Sequence, residues 1–263
     1  MDASLYPRMA EVEDVHWWFA SRRAIVEHIL DRLNLPGDAS ILEPGCGTGG
    51  NFAMLARRGH LFALDADESA VGFARARGLA QVERGALPDQ IPFGDRRFDL
   101  ILMTDVLEHL DDEAGALRAL RARLCPGGWL LLTVPAMRWL WSDHDVTHHH
   151  RRRYGANELR TLVRGAGLDL TYLSYYNFML FPIIAGTRIL QRLQQRNRVG
   201  VNGRHDLAMP SPSVNAVLQR IFSSERYLIG RARVPLGVSL IVVARSPVET
   251  DSAAVPISSV SAS

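Results

Sequence analysis

The run Ile41-Leu42-Glu43-Pro44-Gly45-Cys46-Gly47-Thr48-Gly49-Gly50-Asn51 constrains this chain more than any other stretch of it. A short apolar strand leads into clustered glycines and then into a residue that can open a helix. Glycines so spaced allow positive φ and let a ligand approach the main chain at a helix N-terminus. Gly45, Gly47 and Gly50 satisfy G-x-G-x-x-G, and Asp65 follows Gly45 by 20 residues. That is the offset at which dinucleotide-binding folds place a ribose-binding acid.

The flanking sequence alternates in the same sense. Strand signals fall at 40–43, 61–65, 98–104 and 129–134, with helix signals at 51–58, 69–77 and 113–124. This is the pattern of βαβ units around a parallel sheet. Val12, Val15, Phe19, Ile25, Ile29 and Leu33 predict one helix over 11–34. Beyond Pro135 come a helix over 157–165, a strand over 168–175 and a last strand over 237–244. The division expected is an N-terminal helical cap (1–37), an α/β domain (38–176 and 237–245), a helical insertion or lid (177–236) and a disordered tail (246–263). The tail is expected from its Ser/Ala/Val/Pro-rich composition.

Two cysteines, Cys46 and Cys125, offer neither a disulfide framework nor a metal-ligand spacing. The N-terminus has acids where a signal peptide needs a basic start, and no apolar run approaches the ~18 residues of a membrane span. A cytoplasmic protein is expected. All 30 basic residues are arginine. Residues 151–245 hold 15 of them against four acids, whereas residues 1–150 hold 15 against 22 acids. A basic half of this kind predicts an anionic substrate or surface nearby.

The glycine loop alone leaves two cofactors open, a nicotinamide or flavin dinucleotide and a cofactor with an amino acid end. Glu43 speaks against the first, because a carboxylate there repels a pyrophosphate and suits an ammonium. Two further motifs follow in order: IPFGDRRFDLILMTDVLEHL and LCPGGWLLLTVP. With LEPGCGTGGN and ALDAD they span 41–135, and the set resembles the class I S-adenosylmethionine-dependent methyltransferases, of the type 11 kind. The resemblance implies a Rossmann-like three-layer α/β sandwich, with a mostly parallel seven-stranded sheet whose last strand is antiparallel. It implies S-adenosylmethionine as cofactor and S-adenosylhomocysteine as product.

Carried over by position, the backbone from Gly45 through Cys46 and Gly47 to Gly49 packs on the methionine and ribose portion, with Asn51 opening the helix. Glu43 supports the ammonium, Asp65 accepts from both ribose hydroxyls and Ala66 borders the adenine. Thr104 and Asp105 line the donor amino acid and the sulfonium. Many relatives hold the adenine amine with an acid after the third strand; here backbone groups of Ala86 and Leu87 take that place. Arg22 meets the cofactor carboxylate on one reading, and on the other belongs to an amphipathic helix on the sheet edge.

His109 is a base candidate for a hydroxyl acceptor, against a role in shaping its loop. His144 and His148, in the segment after the fifth strand, are the others. In the same segment Arg151, Arg152 and Tyr154, with Tyr176, are expected to bind the acceptor, the alternative being a solvated charged loop. Asp105-x-x-Glu108-His109 is similar to the metal-associated Glu-x-x-Glu-His of ubiquinone-pathway O-methyltransferases. With Asp first, and with no third ligand spaced after His144 and His148, no metal is expected. In the insertion Arg188, Arg192 and Arg196 recur once per turn beside apolar stripes. They fit either two packed helices or a lid over a lipid-linked acceptor with peripheral membrane contact.

The expected activity is O-methylation of a small, glycan-linked or lipid-linked acceptor, anionic or partly apolar, and not of nucleic acid. Two other readings stand beside it: an NAD(P)-dependent oxidoreductase, and a non-catalytic S-adenosylmethionine-binding protein.

Overall fold

The structure is a computed structural model that describes residues 5–195 and 208–248. Its helices are α1 (Tyr6–Val12), α2 (Trp17–Leu30), α3 (Phe52–Leu55), α4 (Glu68–Ala76), α5 (Glu113–Arg123), α6 (Asp143–Thr147), α7 (Ala156–Gly165), α8 (Phe181–Gln195) and α9 (Pro212–Ser224). Its strands are β1 (Ala39–Pro44), β2 (Gly59–Asp65), β3 (Gln81–Arg84), β4 (Phe98–Thr104), β5 (Leu124–Pro135), β6 (Asp169–Tyr176) and β7 (Ser239–Arg245). They form one sheet in the order β3-β2-β1-β4-β5-β7-β6. The first five strands are parallel, and β7 runs antiparallel to both β5 and β6.

Alternation along β4 shows how the layers arise. Leu100 and Leu102 pack with Ile41, Ala63 and Leu131 under α2, α3 and α4, while Ile101 and Met103 pack with Leu42, Leu64 and Leu132 over α5 and α7. All four β4 side chains are fully buried, each worth about 2 kcal/mol. A one-residue slip would exchange the two faces, so the register that buries them also fixes where Thr104 and Asp105 emerge.

The helix expected over 11–34 is two. His16 adopts an extended backbone and its ring accepts the N–H of Trp18 at 3.3 Å, capping α2 as a separate helix. The helix expected over 51–58 is a single turn, α3, followed by a tighter turn at Ala56–Arg58. It ends where β2 presses on β1: a Cβ on Gly59 would lie 2.0 Å from the Ala39 carbonyl oxygen. β5 starts at Leu124, earlier than expected. The tail expected from 246 begins paired, since Ser246 exchanges backbone hydrogen bonds with Gly127 and Gly128; 249–263 lie outside the described residues.

The insertion folds as α8 and α9, and Arg196 lies outside the described residues. α9 lies along α2. Trp17 and Trp18 meet Phe222 with ring centroids 6.0 and 5.3 Å apart, and Trp17 N–H donates to Asn215 Oδ1 at 2.9 Å. Buried Glu225 accepts the N–H groups of Asn177 and Met179 at 2.6 and 2.9 Å, fixing the entry to α8. Among the described residues, α2 and α9 therefore pack as one cover to which the entry of α8 is fixed. No helix among the described residues is long and apolar enough to cross a membrane.

Candidate active site

A cavity of about 910 Å³ opens at the carboxyl ends of β1, β2, β4 and β5, between the sheet and the α2 and α8 cover. This is the switch point at which strand order reverses, where open α/β sheets bind ligands.

One end is built from the glycine loop. Gly45 and Gly47 have φ of 68° and 54°, and the N–H groups of Gly45 and Cys46 both donate to Leu64 O, at 2.8 and 3.0 Å. The loop is thereby strapped to the end of β2. Gly47 N–H donates to Asp65 Oδ2 at 2.9 Å, and a Cβ there would meet nothing nearer than Met9 Cε at 3.6 Å. Glu43 is buried, with Oε1 accepting from Asn51 Nδ2 at 2.7 Å. Its Oε2 has no partner, and burial raises its pKa to about 8 against the opposing Asn51 hydrogen bond. Burial also raises the Asp65 carboxyl. A free buried carboxylate oxygen, an open glycine cradle and an acid at the end of β2 fit a cofactor with an ammonium and a ribose. An ammonium pairs with the ionised form of Glu43, whereas a pyrophosphate would be tolerated there only by its protonated form, so the oxidoreductase reading is not favoured.

Ala66, Thr104, Asp105, Ala86 and Leu87 also line the cavity. Three details differ from expectation. Gly49 lies behind the loop rather than on the cavity: its φ is 83°, and a Cβ would strike Arg77 and Phe52. The Ala86 N–H is taken by Gln90 O at 2.9 Å, so that donor is unavailable to an adenine ring. Arg22 reaches the cavity but is paired with Asp105, which also accepts from Thr133 Oγ1 at 2.9 Å.

The other end gathers histidines. His109, His144, His148 and His150 all line it, with the His144 and His148 rings 4.4 Å apart and those of His109 and His150 4.9 Å apart. Burial and the neighbouring His150 lower the His109 pKa to about 4. Asp145 is fully buried and takes His150 Nδ1 at 2.9 Å and Arg153 Nε at 2.7 Å. Burial opposes its charge, yet those contacts hold its carboxyl below the usual carboxylate range.

The four residues expected to bind the acceptor are elsewhere. Arg151 donates to the His109 carbonyl oxygen at 2.9 Å and pairs with Asp111. Arg152 and the fully buried Tyr154 converge on Glu113, each at 2.7 Å. Tyr176 is buried and stacked on Phe222 with a 17° interplanar angle. None of the four lines the cavity. Arg153, His150, Glu108, Trp18 and Arg188 line it instead. His149 has φ 56°, which breaks any regular alternation and puts His150 and Arg153 inward in place of their neighbours. Sequence spacing carried no signal of that turn.

Residues 18–173 match the family described as a methyltransferase domain, more than half of the chain. Among curated relatives, a Mycolicibacterium smegmatis protein named as an S-adenosylmethionine-dependent methyltransferase is 30% identical over 162 residues, covering 59% of this chain and 60% of the relative. A ubiquinone biosynthesis O-methyltransferase from Xanthomonas euvesicatoria is 29% identical over 168 residues, covering 57% and 70%. The chain thus spans less than two thirds of the length of the first of these. In fold, a solved complex of the Haloferax volcanii Trm112 activator with a methyltransferase matches with TM-score 0.60 at 20% identity, covering 94% of this chain and 96% of that one. The sheet order and the cofactor end define a Rossmann-like α/β domain of the methyltransferase kind. The chain belongs to the class I S-adenosylmethionine-dependent methyltransferase family.

Proposed function

We propose that the protein transfers a methyl group from S-adenosylmethionine to a hydroxyl of a small, glycan-linked or lipid-linked acceptor that is anionic or partly apolar. The observation that carries this reading is the single cavity joining the Glu43–Asp65 end to the histidine end. When bound, S-adenosylmethionine supplies an electrophilic methyl group on a sulfonium. Glu43, the Gly45–Gly47 backbone and Asp65 hold and orient it; the acceptor end aligns the oxygen, excludes water and takes up its proton. His109, His144 and His148, which line that end, are the imidazoles assigned to that proton. The O-methyltransferase named among the relatives supports oxygen as the atom.

Support for an acceptor of mixed character comes from α8. Ile184, Thr187 and Arg188 face the cavity, while Ile183, Ile189 and Leu190 are 65, 50 and 55% exposed on the same helix. An apolar outer face bordering a cavity with arginines suits a lipid-linked anion presented from a membrane surface. The test is S-adenosylhomocysteine release, followed by mass spectrometry, across anionic and lipid-linked hydroxyl compounds and their O-blocked forms. Product on the hydroxyl compound alone is expected; methylation of the O-blocked form would move the reaction to nitrogen or carbon. A rate that survives in both His109→Ala and His148→Ala would remove these two as the base.

A further inference from the structure

Glu108 is the middle residue of the turn Leu107–His109 after β4 and is fully buried, with neither carboxylate oxygen hydrogen-bonded. A buried carboxyl without partners costs several kcal/mol unless something offsets it. It lines the cavity, as do His109 and His150. One donor atom from each of the three lies within 4.8 Å of the others, and Glu108 Oε1 is 3.9 Å from His150 Nε2. That separation is too long for a hydrogen bond. Two donors about 2.1 Å from one ion span at most about 4.2 Å, so the Glu108–His150 pair can bridge an ion as it stands, and His109 reaches the same ion with a shift of about a few tenths of an ångström at most.

The surroundings are those of a ligand set. The Asp145 hydrogen bond places the proton of His150 on Nδ1 and turns the Nε2 lone pair toward Glu108. A carboxylate behind a histidine is the usual outer partner of a metal-bound imidazole. His109 Nδ1 likewise faces the His149 carbonyl oxygen, at 3.4 Å. Asp105 takes no part, being held by Arg22 and Thr133. The donor set therefore differs from Asp105-x-x-Glu108-His109, and its third member comes from the segment after β5. Spacing along the chain excluded a metal because it searched for that member nearby.

We infer that Glu108, His109 and His150 bind a divalent transition-metal ion of the zinc class, with Asp145 positioning His150 and an open coordination position facing the acceptor end of the cavity. Two imidazoles and one carboxylate are a donor set for such ions. An acceptor hydroxyl that reaches the open position becomes more acidic on the ion. That use rests on the O-methylation reading and makes His109 a ligand, leaving His144 and His148 as the imidazoles for the proton; binding of the ion does not rest on it.

The experiment takes the full chain without an affinity tag, stripped with chelator, and titrates it with ZnCl2 by calorimetry and with CoCl2 by visible absorption. Wild type is expected to take one ion per chain and to give the absorption of a low-coordinate cobalt site. Glu108→Gln and His150→Ala lose at least a hundredfold in affinity, and Asp145→Asn loses about 10- to 100-fold with an altered cobalt spectrum. His60→Ala, at an exposed position of β2, changes nothing. S-adenosylhomocysteine titrated into each variant reports the fold and the cofactor end separately, so a failure of the methyltransferase reading is visible on its own. No ion bound by wild type, or binding that persists in both Glu108→Gln and His150→Ala, overturns the inference.

Discussion

Replacing Glu43 by glutamine separates what this carboxyl does to the fold from what it does for a ligand. The side chain is 1% exposed, and burial moves its pKa from 4.5 to about 8. A folded-state pKa raised in this way means that the native chain keeps a proton the unfolded chain has released. Stability therefore falls as pH rises from about 4.5 to about 8. At 1.36 kcal/mol per unit, the penalty is about 1 kcal/mol at pH 5, about 3 kcal/mol at pH 7 and about 4 kcal/mol at pH 8. Glutamine carries no such penalty and keeps an oxygen for Asn51 Nδ2. The variant should melt above wild type by a margin that widens with pH. At about 2–4 °C per kcal/mol for a chain of this size, the margin is about 6–12 °C at pH 7.

The effect on a ligand has the opposite sign. An ammonium pairs with the ionised carboxylate, so the affinity of wild type for S-adenosylhomocysteine should climb between pH 6 and 8. Removing one partner of a buried pair costs about 3 kcal/mol at the low end, which is roughly a hundredfold in Kd. Glu43→Gln should bind weakly and with little pH dependence. The assays are thermal unfolding by circular dichroism at pH 5, 6, 7 and 8, and calorimetric titration at pH 6 to 8. A variant that melts no higher than wild type at pH 8, or binds with wild-type affinity, would refute the assignment of Glu43 as a buried, ligand-facing acid.

Three further outcomes are expected. If Asp65 holds the ribose as proposed, Asp65→Ala removes two hydrogen bonds to its hydroxyls, each worth about 1.5 kcal/mol; S-adenosylhomocysteine should bind on the order of a hundredfold more weakly in calorimetry, and NADH should bind neither form. Tyr154→Phe deletes one hydrogen bond to Glu113 and should lower stability by about 1–2 kcal/mol in denaturant unfolding while S-adenosylhomocysteine affinity and acceptor KM stay put; a changed KM at unchanged stability would return Tyr154 to the acceptor site. In co-sedimentation, wild type should pellet with anionic phospholipid vesicles more than with zwitterionic ones, and Ile183→Asp combined with Leu190→Asp should lose at least half of that binding.

The parts of this molecule legible in its sequence are those the main chain dictates. Glycines at 45 and 47 are needed because the loop takes positive φ, and the loop is tied to Asp65 at the end of β2 through the Gly47 N–H, so the motif and the acid 20 residues after Gly45 report one local structure. β1, β2, β4 and β5 were visible because they are buried on two faces, whereas β3, an edge strand with only Val82 buried, gave no such signal. Element ends were less visible. The break between α1 and α2 depends on His16 capping through its ring, and β5 extends to Leu124 only because Phe98 pairs with it across a register shift. Neither is encoded in periodicity. In the segment after β5, Arg151, Arg152 and Arg153 are chemically alike, and the left-handed turn at His149 decides which one enters the cavity.

This division has a consequence for substrate choice. The family match ends at residue 173, before α8 begins. The cavity wall continues past that point with Ile184, Thr187, Arg188, Val238 and Ser239. The cofactor end, by contrast, is made of residues inside the matched span, covered by side chains from 6–17 just before it. Family resemblance therefore carries over the donor half of the reaction, and the wall that an acceptor must pass belongs to a part of this chain beyond the match. Arg188 and Ile184 on one helix give that wall a cationic and an apolar contact one turn apart, a combination that discriminates against acceptors offering only charge or only hydrocarbon. Selectivity for an acceptor should accordingly move with substitutions in α8 at unchanged affinity for S-adenosylhomocysteine, because Glu43, Gly47 and Asp65 are held by contacts to Asn51, to one another and to Asp67.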